Sequence, residues 1–113
     1  MEQLFEQLRG YLNMDDEIPY EEFAEYYNNV ISFLNENYEN LSEEEIHKAR
    51  YVMIILQSNC IDRASRKDKN MKKYKKMSEK TKLWSEATTY QLRRMGLNEK
   101  QINDVYVELN DSI

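Results

Sequence analysis

Apolar side chains recur every three or four positions along most of the chain, which is the period of an α-helix with one buried face. In residues 2 to 13 the apolar positions are Leu4, Phe5, Leu8, Tyr11 and Leu12. A second run with the same period extends from residue 20 to about residue 37, and Pro19 before it fits the first turn of a helix. These two segments are predicted to form the first and second helices.

The clearest start signal for a helix precedes the third predicted helix. In the stretch LSEEEI, Ser42 can accept a hydrogen bond from the first helical turn and Glu45 can return one, which is a capping box. Six consecutive apolar residues, YVMIIL at 51–56, follow, and they are typical of a helix buried on all sides or of a buried strand. The capping box and a helical stripe from Ile46 to Cys60 favour a central helix.

The stretch between this capping box and Gly96 contains no glycine or proline. One helix over residues 43–95 would be about 80 Å long at about 1.5 Å per residue, too long for so small a domain to cover. We therefore predict a break near residues 65–70. The fourth helix is then expected to end at Met95 with Gly96 as its C-cap, and a short fifth helix to follow Asn98.

The composition supports an all-helical fold. Only two of the 113 residues are glycine and one is proline, whereas the turns of strand-rich folds use both freely. The predicted fold class is all-α: one domain over residues 1–113, a compact bundle of about five helices, three long and two short, with no sheet.

Export signals and membrane spans are not evident in the sequence. No run of about 18 or more apolar residues occurs, and the first residues are acidic where a signal peptide is basic. The single cysteine, Cys60, cannot form an internal disulfide. We expect a cytoplasmic protein without a membrane partner, and the frequent Asn, Lys, Ile and Tyr fit an AT-rich bacterial or phage genome.

Charge is divided unevenly along the chain. Residues 1–50 carry 13 acidic and 3 basic side chains, residues 51–96 carry 4 acidic and 12 basic, and the last 17 residues carry 4 acidic and 1 basic. The net charge of −5 therefore conceals an acidic half and a basic segment, and such a division is more informative than the sum.

The basic segment coincides with the predicted fourth helix. On a helical wheel its inner arc is Met71, Tyr74, Met77, Trp84 and Met95. Most of the opposite side is a candidate polyanion-binding face of lysines: Lys69, Lys72, Lys73, Lys75, Lys76, Lys80 and Lys82. Lysine holds phosphates without reading bases, so this face fits nucleic-acid binding. Two alternatives stay open. One is an acidic protein partner. The other is that the fourth helix lies beside Glu21, Glu22 and Glu25 of the second helix and pairs with them, with its remaining lysines simply solvated.

The acidic half contains the second candidate surface. This candidate protein-binding face comprises Asp15, Asp16, Glu21, Glu22, Glu25 and Tyr26. Small inhibitors encoded by phages and mobile elements use acidic faces to imitate a phosphate path, so inhibition is one form of this hypothesis. Tyr51, Tyr90 and Tyr106 are expected near the surface, where tyrosine supports protein binding. The alternative is that the acidic side chains only keep the domain soluble.

No catalytic or metal-binding arrangement is recognisable. EEIH, which ends at His47, matches one Glu-x-x-His pair of a di-iron bundle, but that site needs two pairs and the chain has one histidine. We expect His47 to be exposed or half-buried. Cys60 has only Arg63 as a basic neighbour on its helix, which indicates a core thiol rather than a nucleophile. Enzyme activity, metals and cofactors are not expected.

The leading hypothesis is a small non-catalytic regulatory protein that acts through protein–protein contacts on its acidic face. The alternative is a nucleic-acid-binding accessory factor that uses the basic helix face at residues 66–82. Another protein is the expected partner, and the sequence also leaves a homodimer open.

Overall fold

The computed structural model describes all 113 residues and contains five α-helices and no strand. The helices are α1 (Glu2–Leu12), α2 (Tyr20–Asn37), α3 (Glu43–Ser65), α4 (Met71–Arg94) and α5 (Glu99–Asp111), and a 3₁₀ turn (Tyr38–Asn40) follows α2. The predicted all-α bundle with three long and two short helices is confirmed. None of the five helices has the length and apolar character that a membrane span needs.

Helices α3 and α4 form an antiparallel hairpin at the centre of the fold. Near the start of α3, Arg50 Nε donates to Thr89 Oγ1, late in α4, at 2.8 Å. Near the end of α3, Arg63 Nη1 donates to Tyr74 Oη, early in α4, at 3.1 Å. The apolar run in α3 lies in the core, where its side chains reach several other helices, and the predicted central helix is confirmed.

Capping boxes begin both α3 and α5. The Glu45 backbone N–H donates to Ser42 Oγ at 3.2 Å, and the Ser42 N–H donates to Glu45 Oε1 at 3.1 Å. In α5, Asn98 and Gln101 exchange the same two bonds, each at 2.8 Å. Each capping box satisfies backbone donors that have no partner inside the helix. The starts of α3 and α5 could therefore be predicted from a few adjacent residues.

The break between α3 and α4 occupies residues 66–70, close to its predicted position. The other end of α4 is closed by Gly96, whose φ of 98° is in the left-handed region that glycine adopts without steric penalty. There the Leu97 N–H donates to the Leu92 carbonyl at 3.2 Å and the Gly96 N–H to the Arg93 carbonyl at 3.0 Å. These two bonds define a Schellman motif, so the predicted glycine cap is confirmed.

Aromatic side chains hold α2 against α4. Tyr20 and Phe23, at the start of α2, make edge contacts with Tyr74 at ring-centre distances of 5.5 and 5.6 Å. Beyond the end of α2, Tyr38 packs on Trp84 at 5.1 Å. The start of α2 therefore meets the start of α4, and the residue after the end of α2 meets the middle of α4, so α2 runs parallel to α4.

Tyr51 of α3 joins the two short helices to the core. Its ring meets Phe5 of α1 at 5.7 Å and Tyr106 of α5 at 5.3 Å, and its hydroxyl donates to Asn110 Oδ1 at 3.0 Å. The expectation that Tyr51 lies near the surface is wrong, since the residue is only 1% exposed. The hydroxyl is buried without penalty because α5 supplies its acceptor.

Helix α4 buries one arc of its circumference. The buried side chains are Tyr74, Met77, Thr81, Thr88 and Leu92. Met71 and Trp84 are half-buried, as placement on the inner arc predicts. Met95 is a correction: it follows the last residue of α4 and is 38% exposed, and Leu92 takes the buried position at that end. The lysines of α4 therefore point away from a defined inner face.

Candidate functional site

All seven lysines of the predicted polyanion-binding face are exposed. No carboxylate oxygen lies within 4.0 Å of any of them, although eight such ion pairs exist elsewhere in the chain. These lysines therefore form no ion pair with Glu21, Glu22 or Glu25, although α2 does lie beside α4, as the internal alternative expects. The seven lysines are Lys69, Lys72, Lys73, Lys75, Lys76, Lys80 and Lys82.

The charged groups that do pair belong mainly to other segments. Arg66, at the end of α3, forms a two-pronged ion pair with Glu17, with Nη2 and Oε2 at 3.0 Å. This hydrogen bonding lowers the pKa of the Glu17 carboxyl. Lys48 pairs with Glu2 on α1, and Arg93 with Glu99 on α5. Several cations near helix ends thus form ion pairs within the chain, whereas the lysines along α4 form none.

One row of side chains runs along the outside of α4, opposite its buried arc. Its members succeed one another every three or four residues, so they share one side of the helix. We call this row the basic ridge: Lys72, Lys76, Lys80, Leu83, Ala87, Tyr90 and Arg94. Leu83 and Tyr90 are 59% and 62% exposed, large values for apolar side chains. Leu83 and Tyr90 were not among the predicted site residues, although a helical wheel places both on the same outer side of α4 as the lysines.

The remaining lysines of α4 flank the basic ridge. The Lys73 ammonium lies 5.1 Å from the centre of the Tyr20 ring, a cation–π distance that ties it to α2. Lys75 lies on another side of α4, beside Ile61 and Ala64 of α3, and Lys82 follows it by seven residues on the same side. The positive charge is therefore spread over three sides of α4, with the apolar positions on the ridge itself.

The five predicted acidic residues are also exposed and without a cation within 4.0 Å. They lie in the α1–α2 connection and the first two turns of α2. Leu12 and Met14, which shortly precede them in the chain, are 39% and 52% exposed. We call this surface the acidic patch: Leu12, Met14, Asp15, Asp16, Glu21, Glu22 and Glu25.

Tyr26 does not belong to the exposed surface that was predicted for it. The residue is 1% exposed, and its hydroxyl donates to the Leu4 carbonyl of α1 at 2.7 Å. Its ring packs edge-on against Tyr11 at 5.4 Å. Burial raises the pKa of the Tyr26 hydroxyl, which stays a neutral donor. Tyr26 supports the α1–α2 contact from beneath.

An open cleft between α1 and α2 forms part of the acidic patch. Its lining includes Tyr11 and three carboxylates, those of Glu21, Glu22 and Glu25. Burial raises the pKa of the Tyr11 hydroxyl, a hydrogen bond from Gln7 opposes this, and the nearby negative charges of Glu22 and Glu25 add to it. Glu22 and Glu25 therefore lie close enough to the Tyr11 hydroxyl to influence it.

Arg63 is a buried cation, a role that no pattern in the sequence indicated. It is 5% exposed, and its Nη2 donates to the Ile18 carbonyl at 2.9 Å. Its guanidinium lies 4.3 Å from the centre of the Phe23 ring, and the nearest carboxylate oxygen, of Glu17, is 3.8 Å away. Arg63 thereby fastens the residues before α2 to the hairpin, using donors from one guanidinium.

The cavity next to Arg63 is small, about 70 Å³. Seven of its ten lining residues are hydrophobic, among them Leu8, Phe23 and Leu56, and Asn59 adds a polar side chain. A space of this size holds a few water molecules rather than a large ligand. The surfaces, not the interior, therefore offer the larger area for binding.

His47 and Cys60 both belong to the interior. His47 is 7% exposed, which corrects the expectation of an exposed or half-buried side chain, and burial lowers the pKa of its ring. Cys60 is fully buried, and burial raises the pKa of its thiol to about 12. The thiol is therefore protonated at neutral pH and shielded, and its prediction as a core residue is confirmed.

No protein-family model, curated protein or solved structure matches this chain. What the protein does is therefore inferred from its own surfaces. The basic ridge and the acidic patch share two properties: all their charged side chains are exposed, and none of these charged groups forms an ion pair within the chain.

Proposed function

We propose that this protein is a small, non-catalytic protein-binding module whose acidic patch recognises a basic surface on another protein. The observation that carries the proposal is that residues 12–25 combine five exposed, unpaired carboxylates with exposed Leu12 and Met14. Carboxylates already paired within the chain would have to lose a partner before binding, and these have none to lose.

The two kinds of side chain have different roles in such a contact. Complementary charge raises the rate of encounter and rejects like-charged partners, but exposed ion pairs contribute only about 0 to 1 kcal/mol each. Apolar side chains at the centre of an interface contribute more of the affinity. Leu12 and Met14 are suited to that central position, with the carboxylates around them.

A regulatory or inhibitory role follows when the partner's basic surface is one that normally holds a polyanion. The carboxylates then occupy the sites of phosphates, and the partner is blocked without any chemical step. The rigid start of α2 favours this role, because preorganised charges need no ordering on binding.

A paired-variant capture experiment tests the proposal. The patch-silenced variant carries Asp15→Asn, Asp16→Asn, Glu22→Gln and Glu25→Gln. The matched control removes four other exposed, unpaired carboxylates: Glu36→Gln, Glu39→Gln, Glu79→Gln and Glu86→Gln. A bacterial lysate is passed over wild type and each variant, and retained proteins are compared at low and high salt. Wild type and control should retain the same basic protein, and the patch-silenced variant should lose it. Equal retention by both variants would overturn the proposal.

Nucleic-acid binding through α4 is a second candidate, favoured by the absence of carboxylate partners at all seven lysines. Contacts would be to the phosphate backbone, because lysine without Arg, Asn or Gln provides little base readout. Gel retardation of duplex and single-stranded DNA at about 50 and 200 mM salt should then show strong salt dependence. Reversing Lys72, Lys73, Lys75 and Lys76 to Glu should abolish it, and no retardation at low salt removes this candidate.

A further inference from the structure

The outer side of α4 has the spacing of a helix–helix contact. From Lys76 onward the basic ridge advances by four, three, four, three and four residues, which is the pattern of the a and d positions of a coiled coil. Its apolar members are Leu83, Ala87 and Tyr90, with cations at both ends. Such a row usually packs against another element, and here Leu83 and Tyr90 remain more than half exposed.

Other elements of the same chain leave most of this row uncovered. The exception is Ala87, which is half-buried and whose carbonyl accepts a hydrogen bond from the Tyr38 hydroxyl at 2.9 Å. Helix α3 occupies the opposite side of α4, and α2 contacts it through Tyr74 and Trp84. Helix α5 follows the Gly96 turn and meets α3 through Tyr106. Leu83, Tyr90 and the cations of the basic ridge are therefore exposed, over about 30 Å of helix at about 1.5 Å per residue.

The chemistry of the ridge specifies its occupant: exposed apolar side chains within a field of carboxylates. The acidic patch has this composition, with Leu12 and Met14 beside five acidic side chains. Within one chain no ion pair joins the two surfaces. Two ridges facing each other would bring lysines and arginines together, which like-charge repulsion disfavours.

We propose that the basic ridge of one copy binds the acidic patch of a second copy, in a head-to-tail contact. Such a contact is heterologous: each copy keeps one unused ridge or patch, so copies add in a line unless the rotation closes a ring. The net charge of −5 makes two copies repel each other. The attraction between the basic ridge and the acidic patch acts against this repulsion. The contact is therefore concentration-dependent and weakened by salt. This inference depends on the two surfaces and not on the proposed foreign partner.

Sedimentation velocity on the full chain is the test, with two silenced variants. The ridge-silenced variant carries Lys76→Gln, Lys80→Gln, Leu83→Gln and Tyr90→Gln, and the patch-silenced variant is the one described above. Wild type at low salt should rise above its monomer mass of 13.7 kDa with concentration and return towards it at high salt. Each variant alone should stay monomeric.

An equimolar mixture of the two variants is the decisive sample. One copy then contributes only a patch and the other only a ridge, so dimers should form and nothing larger. A wild type that stays at monomer mass, or a mixture no more associated than its components, overturns the inference. Self-association of the patch-silenced variant alone would also overturn the inference, because it would show that basic ridges bind each other.

The same variants separate this inference from the proposed function. A monomeric wild type whose foreign partner is lost only by the patch-silenced variant removes the self-contact and leaves the proposed function in place. A ridge-silenced variant should keep its foreign partner, because its acidic patch is intact. Circular dichroism of each variant confirms that the helices are retained.

Discussion

Helices α3 and α4 have nearly the same length, 23 and 24 residues, and pack side by side, yet they differ in what surrounds them. Ten residues of α3 are buried and only five of α4, so α3 is covered on most sides and α4 on one. A helix apolar nearly all round lies at the centre of a bundle, whereas one with a single apolar stripe lies at its edge. The core of this protein is therefore organised around α3, and its free surface around α4.

The same difference governs positive charge. On α3, Arg63 is buried and its guanidinium contacts Ile18, Tyr74 and the Phe23 ring. On α4, Lys76 is exposed and touches no carboxylate. A buried cation must be satisfied by the fold itself, while an exposed one is hydrated and stays available to a partner.

Leucine-to-alanine substitution provides the largest contrast between the two helices. Leu56 on α3 is 2% exposed, and Leu56→Ala should lower the free energy of unfolding by about 2 to 5 kcal/mol through lost burial and a new cavity. Leu83→Ala on α4 should change it by less than about 0.5 kcal/mol. Urea unfolding at neutral pH measures both. Comparable losses at the two positions would mean that the outer side of α4 is covered in solution.

Replacing a cation on each helix by methionine gives the next largest contrast. Arg63→Met leaves the Ile18 carbonyl and the Tyr74 hydroxyl without their donor, so a loss of about 2 to 3 kcal/mol is expected. Lys76→Met, the matched control, should cost less than about 0.5 kcal/mol. The two unfolding midpoints are compared under identical conditions. An Arg63→Met variant as stable as its control would show that the guanidinium contacts contribute nothing net.

The helix ends were predictable because each depends on a few adjacent residues. Ser42 and Glu45 make their capping bonds within one turn, and Gly96 closes α4 with bonds to residues three and five positions earlier. The break before α4 was predictable because one uninterrupted helix over residues 43–95 would be too long for a domain of this size. These features are local, so the sequence contains all the atoms that decide them.

Burial of polar side chains was not predictable, because their partners come from distant parts of the chain. The acceptor for the Tyr51 hydroxyl lies 59 residues away, on α5, and that for Tyr26 lies 22 residues away, on α1. A periodic pattern identifies which residues share a helical face but not which neighbour supplies a hydrogen bond. Arg63 was missed for the same reason, since its acceptor precedes it by 45 residues.

Adjacency of α2 and α4 was predicted correctly, while the ion pairs between them were not. Phe23 of α2 faces α4, but Glu22 and Glu25 line the cleft beside α1. Consecutive side chains on a helix point in directions about 100° apart around its axis, so two residues close in sequence can face different neighbouring helices. The distribution of charge in the sequence therefore identified the basic and the acidic surface. That no ion pair joins them became clear only from how the helices pack.

Removing a helix cap should produce a smaller contrast. Ser42→Ala deletes the side-chain acceptor that begins α3 and should cost about 1 kcal/mol. Asn70 holds the same position before α4 without a side-chain capping bond, so Asn70→Ala should be near neutral. Thermal and urea unfolding of the two variants measure the difference. Equal losses would mean that the capping box adds nothing beyond the intrinsic preference of the residue.

The smallest expected effect is a pH dependence that α3 contributes and α4 does not. Burial lowers the pKa of His47 below its usual value of 6.5, an effect that Glu43 opposes and Arg50 reinforces. The unfolded chain therefore binds more protons below about pH 7, and the free energy of unfolding should fall as pH drops through 6.5 towards the lower folded-state pKa. Carboxyls with lowered pKa, such as Glu17, act only below about pH 4.5, so the two ranges are separate.

Urea unfolding of wild type and His47→Asn between about pH 7.5 and pH 5 isolates this contribution, because the chain has one histidine. Wild type should lose stability over this range, and the variant should be nearly flat. Glu44, Lys48 and Glu108 border the same cleft and are unchanged in both proteins, so they cancel in the comparison. A variant with the wild-type slope would assign the pH dependence to those neighbours, and a wild type that gains stability on acidification would contradict the lowered pKa.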